Sequence, residues 1–92
     1  MSRKSPAALH RHEYAIFRDM LVTARKTQGL MQAEVALQLG KPQSFVSKYE
    51  TAERRLDFTE FVDIAMVLKI DPIEFLIEYQ TRINQTSTYH NR

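Results

Sequence analysis

Ninety-two residues, 43% hydrophobic and 26% charged, allow one modest core and leave no room for a second domain. Two glycines and three prolines speak against a turn-rich all-β chain, and the lack of cysteine excludes disulfide staples, thiolate zinc sites and thiol nucleophiles. The net charge of +2 conceals a gradient: residues 1–55 hold ten Lys/Arg against five acids, net +5, and residues 56–92 hold three against six, net −3. A basic half suited to a polyanion thus precedes an acidic half.

The opening residues 1–12 pair Arg3 and Lys4 with Ser5-Pro6 and carry no apolar segment of the kind a signal peptide needs, so they are expected to form a flexible basic arm. From Tyr14 the pattern turns helical, with Phe17, Leu21 and Ala24 on one face and Ile16 and Met20 beside it, until Gln28-Gly29 stops it. A second, very short helix opens near Met31 or Gln32, presents Val35, Ala36 and Leu39 on one side and ends at Gly40. Lys41-Pro42 re-aims the chain into a third short helix, in which Val46 and Tyr49 face inward and Gln43, Ser44, Ser47 and Lys48 face outward.

After a polar link, Asp57 and Glu60 have the spacing of a reciprocal helix cap, and a fourth helix is expected to bury Phe58, Phe61, Ile64, Ala65 and Leu68. Asp71-Pro72-Ile73-Glu74 repeats the cap with proline at the first helical position, opening a fifth helix that buries Phe75 and Leu76, while Tyr79 stays open between the core and an exposed apolar face with Ile73 and Ile77 that is the expected dimer contact. Residues 81–92 are polar and aperiodic and are expected to be a disordered tail, which leaves 13–80 as the folded domain. The 58–70 stretch is too short and too often interrupted by charge to cross a bilayer, so a soluble, cytoplasmic protein with no membrane partner is expected. Two helices too short to stand alone need the other three for burial, and the fold class is therefore all-α, five helices around one core.

The stretch Gln32 to Glu50, QAEVALQLGKPQSFVSKYE, is the most specific part of the chain. Ala36 is small where two short helices pack closest, Gly40 gives the turn its backbone freedom, and Val46 anchors the second helix ten positions after Ala36. That is the spacing of a helix-turn-helix. The surrounding residues add Ala24-Arg25, Gly29-Leu30, Leu39-Gly40, the run Ser44 to Glu50 and Glu53-Arg54-Arg55-Leu56. With them, the chain from about Tyr14 to Tyr79 resembles the Xre or Cro/CI-type helix-turn-helix family of lambda-repressor-like transcriptional regulators.

The resemblance implies a five-helix lambda-repressor-like bundle that binds double-stranded DNA as a homodimer, acts as a repressor and reads a pseudo-palindromic operator with the helix 43–50. Base-reading residues would be Gln43, Ser44, Ser47 and Lys48, whose amide, hydroxyls and ammonium suit base edges in a major groove. Gln32 looks like the family's phosphate-contacting glutamine at a helix start. Lys41, Arg54 and Arg55, flanking the recognition helix, are the expected phosphate clamps. Arg25 and Glu50 are expected to form a structural salt bridge tying the first helix to the end of the third. Phe45 stays open between a core position and contact with a thymine methyl.

Three positions depart from the family pattern: Met31 and Pro42 stand where a hydroxyl often caps, and Ala52 where glycine is common, so Ala52 either avoids the left-handed conformation or carries strain. No enzyme is expected, since the serines have no histidine and acid arrangement beside them and no glycine-rich phosphate loop exists. No cofactor or metal is expected either, because His10, His12 and His90 fall in the arm and the tail. The rival reading is an antitoxin or adaptor that uses the same fold to hold a protein partner, with DNA binding secondary.

Overall fold

The computed structural model describes the backbone of residues 6–90 and the side chains of residues 12–85. In chain order the described helices are α1 (Pro6–Thr27), α2 (Gln32–Leu39), α3 (Gln43–Glu50), α4 (Phe58–Val67) and α5 (Pro72–His90), and no strand occurs among the described residues. The core is one cluster drawn from the first four: Leu21 of α1, Val35 and Ala36 of α2, Val46 and Tyr49 of α3, and Ile64 and Leu68 at α4, all essentially buried. Around it pack Phe17, Ala24, Leu30, Leu39, Phe61 and Phe75, so each helix contributes one apolar stripe.

Four helices end in the same way. At each C-terminus one N–H bonds back three residues and the next bonds back five: Gly29 to Lys26 and Leu30 to Arg25, Gly40 to Leu37 and Lys41 to Ala36, Ala52 to Tyr49 and Glu53 to Lys48, and Lys69 to Met66 and Ile70 to Ala65. This is the Schellman arrangement, and it requires a left-handed residue at the hinge. Glycine supplies it twice, at φ 72° for Gly29 and 69° for Gly40, whereas Ala52 at 67° and Lys69 at 57° adopt it against the steric preference of a Cβ. Ala52 therefore takes the strained alternative. The starts of α4 and α5 are held by side chains, with Asp57 accepting from the Glu60 N–H at 2.8 Å, Glu60 accepting from the Asp57 N–H at 3.0 Å, and Asp71 accepting from Ile73 and Glu74.

The structure differs from the sequence reading at both ends and at two core positions. Helix α1 starts at Pro6, where an arm was expected over residues 1–12, and α5 runs to His90, through most of the expected tail at 81–92. Extending an existing helix adds one hydrogen bond per residue and needs no apolar periodicity, and neither segment contains an interior glycine or proline to stop it. Residues 1–5 and 91–92, and the side chains of His10 and His90, lie outside the described residues. Phe58 and Leu76, both expected in the core, are 76% and 50% exposed. Phe58 opens α4 beyond the end of the packed stripe, and Leu76 lies about 100° around α5 from Phe75, which takes the inward place.

Candidate nucleic-acid interface

Helix α3 is divided lengthwise. Val46, Tyr49 and Glu50 are buried, while Gln43, Ser44 and Lys48 are exposed and Ser47 is half-buried beside them. The spacing of 43, 44, 47 and 48 sets these four polar side chains on one edge, opposite the anchor residues. Pro42, extended at φ −68°, precedes α3 and has no N–H to leave unpaired, and its carbonyl accepts from the Phe45 N–H at 2.9 Å. The turn from α2 through Gly40 therefore delivers the α3 N-terminus outward.

The inner end of α3 is fixed by a charged junction. Arg25 Nε donates to Glu50 Oε2 at 2.6 Å and Arg25 Nη2 to Glu50 Oε1 at 3.0 Å, with the side chains only 12% and 5% exposed. Arg25 Nη1 also donates to the Leu30 carbonyl at 2.8 Å, and Gln32 Nε2 donates to Glu50 Oε1 at 2.8 Å. The Arg25–Glu50 pair thus joins α1, the α1–α2 turn, the start of α2 and the end of α3. Its hydrogen bonds hold the Arg25 guanidinium more firmly protonated than an ordinary arginine. The Gln32 amide nitrogen is committed to the fold, so Gln32 can face an anion only with its backbone N–H at the start of α2. Beside the junction, burial pushes the Tyr49 hydroxyl well above the usual tyrosine range.

The three expected clamps are held differently. Lys41 is exposed, with Nζ 5.3 Å from the Phe45 ring centroid, and Arg54 lies on the same ring at 4.9 Å. Phe45 is half-buried, packs edge-on to Tyr49 with ring centroids 5.6 Å apart, and so is a platform between two cations at the edge of α3. Arg54 is also gripped by Glu60, Nη1 to Oε1 at 3.0 Å and Nη2 to Oε2 at 2.9 Å, which keeps the Glu60 carboxyl below the usual carboxylate range. Arg55 turns away from this edge and stacks on Tyr14, its guanidinium carbon 4.4 Å from the ring centroid.

Tyr14 and Glu60 escaped the sequence reading as residues that shape this surface, and Phe45, open there between the core and a base contact, is a half-buried platform for two cations. The Tyr14 hydroxyl accepts from the Leu56 N–H at 3.2 Å and donates to the Arg54 carbonyl at 3.3 Å, pinning the loop that follows α3. No local signal could have revealed a bond spanning forty residues of sequence. Glu60 was legible only as a cap, and its second role depends on the path of that loop.

The fold and this half-exposed α3 define a helix-turn-helix domain, the DNA-binding fold of regulators. A helix-turn-helix family model matches residues 21–75. Among solved structures, an XRE-family like protein from Pseudomonas syringae pv. tomato strain DC3000 is 42% identical, with a TM-score of 0.79 over 83% of this chain and 93% of that chain. No curated protein matches. The chain belongs to the XRE-type helix-turn-helix family.

Proposed function

We propose that this chain is a cytoplasmic, sequence-specific repressor that binds a pseudo-palindromic operator as a homodimer, placing one α3 in each of two major-groove half-sites about one duplex turn apart. The observation that carries this reading is the division of α3: its inner edge is locked by Val46, Tyr49 and Glu50, and its outer edge offers Gln43, Ser44, Ser47 and Lys48. A rigid helix with an amide, two hydroxyls and an ammonium on its free edge is suited to base edges, since Gln pairs with adenine, Lys with guanine acceptors and Ser with either.

Phosphate contacts fall to Lys41 and Arg54, which share the Phe45 ring, and to the backbone N–H groups at the start of α2. Arg55, stacked on Tyr14, is left out of this set. The rival adaptor reading places a protein partner on the acidic α4 and α5, but it gives no role to the basic, polar edge of α3.

Selection from a random duplex pool tests the proposal. The expected result is an enriched motif of two inverted half-sites with centres roughly 10 base pairs apart. A pool without enrichment, even at low ionic strength, contradicts it.

A further inference from the structure

Arg25 and Arg54 hold their carboxylates by different edges. Arg25 grips Glu50 with Nε and Nη2, its side edge, whereas Arg54 grips Glu60 with Nη1 and Nη2, its end edge. The second hydrogen of Arg54 Nη1 goes to the Arg55 carbonyl at 3.1 Å. Of the five N–H donors of a guanidinium this leaves Nε–H and one Nη2–H, side by side, as a second fork that matches a phosphate. Among the described residues no acceptor meets that fork.

The rest of Arg54 is restrained as well. Its backbone N–H donates to the Lys48 carbonyl at 3.1 Å, its carbonyl accepts from the Tyr14 hydroxyl at 3.3 Å, and its guanidinium lies 4.9 Å from the centroid of the Phe45 ring on α3. Glu60 is fixed independently, because Oε1 also accepts the Asp57 N–H at 3.0 Å in the cap of α4.

We propose that Glu60 is a positioning residue for DNA binding, which holds Arg54 by its end edge so that the side edge is presented, already ordered, to a duplex phosphate beside α3. The inference rests on the DNA-binding reading of the preceding section and names how one of its phosphate contacts is built. Two effects oppose each other here. Glu60 offsets the charge of Arg54 and so weakens the attraction of the duplex, but for exposed groups in salt that loss is small. An unrestrained arginine loses rotamer freedom when it meets a phosphate, and holding it in place beforehand removes that cost. Positioning therefore predicts that removal of the negative charge at Glu60 weakens binding to a polyanion, the reverse of what charge alone predicts.

Fluorescence anisotropy of the full chain on a random-sequence duplex, with the NMR resonance of the Arg54 Nε–H as a second readout, tests this. Glu60→Gln keeps the reciprocal cap, so circular dichroism is expected to retain the wild-type helix content. The variant is expected to bind the duplex roughly threefold to tenfold more weakly. Glu53→Gln removes the same charge beside Arg54, but from a side chain bonded to Thr51, and is expected to leave affinity unchanged or raise it by no more than about threefold. In an Arg54→Ala background Glu60→Gln is expected to cause no weakening. The wild-type Nε–H resonance is expected to move on duplex binding, and to move less in Glu60→Gln.

A Glu60→Gln variant that binds as tightly as the wild type or tighter overturns the proposal. So does a weakening that persists without Arg54, or a wild-type Nε–H resonance unmoved at saturating duplex, and these outcomes leave the DNA-binding reading intact. A wild type that binds no duplex contradicts that reading, and inorganic phosphate alone then reads the fork. A phosphate-induced shift of the Nε–H resonance that Glu60→Gln loses supports the positioning by Glu60, and no shift overturns it.

Discussion

The Arg25 guanidinium is joined by two parallel hydrogen bonds to the Glu50 carboxylate, which fastens the last residue of α3 to α1. Both side chains are largely withdrawn from water, so neither tolerates the loss of the other. Arg25→Ala is expected to destabilise the domain by about 3 kcal/mol or more, since it leaves a buried carboxylate with Gln32 as its remaining side-chain partner. The double variant Arg25→Ala, Glu50→Ala should lose clearly less than the sum of the two single changes. Urea unfolding midpoints with an unchanged m-value check both statements.

Two Schellman hinges are occupied by residues that resist the left-handed region, Ala52 and Lys69. Ala52→Gly and Lys69→Gly are each expected to stabilise the fold by about 0.5–1 kcal/mol, the relief of Cβ strain partly offset by greater freedom of the unfolded chain. In a domain of this size that raises the melting temperature by roughly 2–8 °C, readable by calorimetry. Gly40→Ala should act in the opposite sense by about 1 kcal/mol. A Cβ there meets no atom within 4 Å, so the cost is backbone strain alone.

Burial raises the Tyr49 hydroxyl above its ordinary value of 10.0, which gives stability a direction with pH. Above pH 10 the unfolded chain releases this proton and the folded chain retains it, so the unfolded state binds fewer protons and stability falls as pH rises. Below the ordinary tyrosine value this contribution is fully present. Chemical denaturation at pH 8 and pH 11 should therefore show a lower midpoint at pH 11. Tyr49→Phe removes a buried hydroxyl that has no hydrogen-bond partner, and should shrink that difference while changing stability at pH 8 by about 1 kcal/mol or less. Tyr14 and Tyr79, also raised by burial, account for a residual effect.

The outer edge of α3 and its flanking cations should separate under mutation. Lys48→Ala and Gln43→Ala are expected to cost about 1–3 kcal/mol on the preferred duplex and to relax base preference at one position each. Lys41→Ala should weaken all duplexes alike and reduce the slope of log K against log salt by about 0.9. Phe45→Leu removes the ring under both Lys41 and Arg54 and is expected to flatten the salt dependence without changing the preferred sequence. Anisotropy titrations on preferred and scrambled duplexes at several salt concentrations distinguish the classes.

Much of the fold was legible because the apolar stripes are regular. Leu21, Val35, Ala36, Val46 and Ile64 follow from helical spacing, and Gly29 and Gly40 mark the two turns that need glycine. Periodicity names the inward face of a helix but not where its neighbours end, which is why Phe58 was expected inside and stands outside. Helix ends were hidden for a related reason, since segments 6–12 and 81–90 extend α1 and α5 without a regular apolar spacing in the sequence.

The fates of Arg54 and Arg55 depended on the path of the loop after α3. Arg54 is engaged by Glu60 of α4 and Arg55 by Tyr14 some forty positions earlier, and both appear in sequence as free surface cations. Gln32 likewise meets Glu50 only because the two short helices fold back to back.

Amide and side-chain chemical shifts of the labelled protein, titrated with its selected duplex, test most directly that the free edge of α3 meets the bases. The largest changes are expected at Gln43, Ser44, Ser47 and Lys48, with smaller ones at Lys41, Arg54 and the start of α2. Changes confined to α5 and the Phe58 face, with α3 unmoved at saturating duplex, would contradict it.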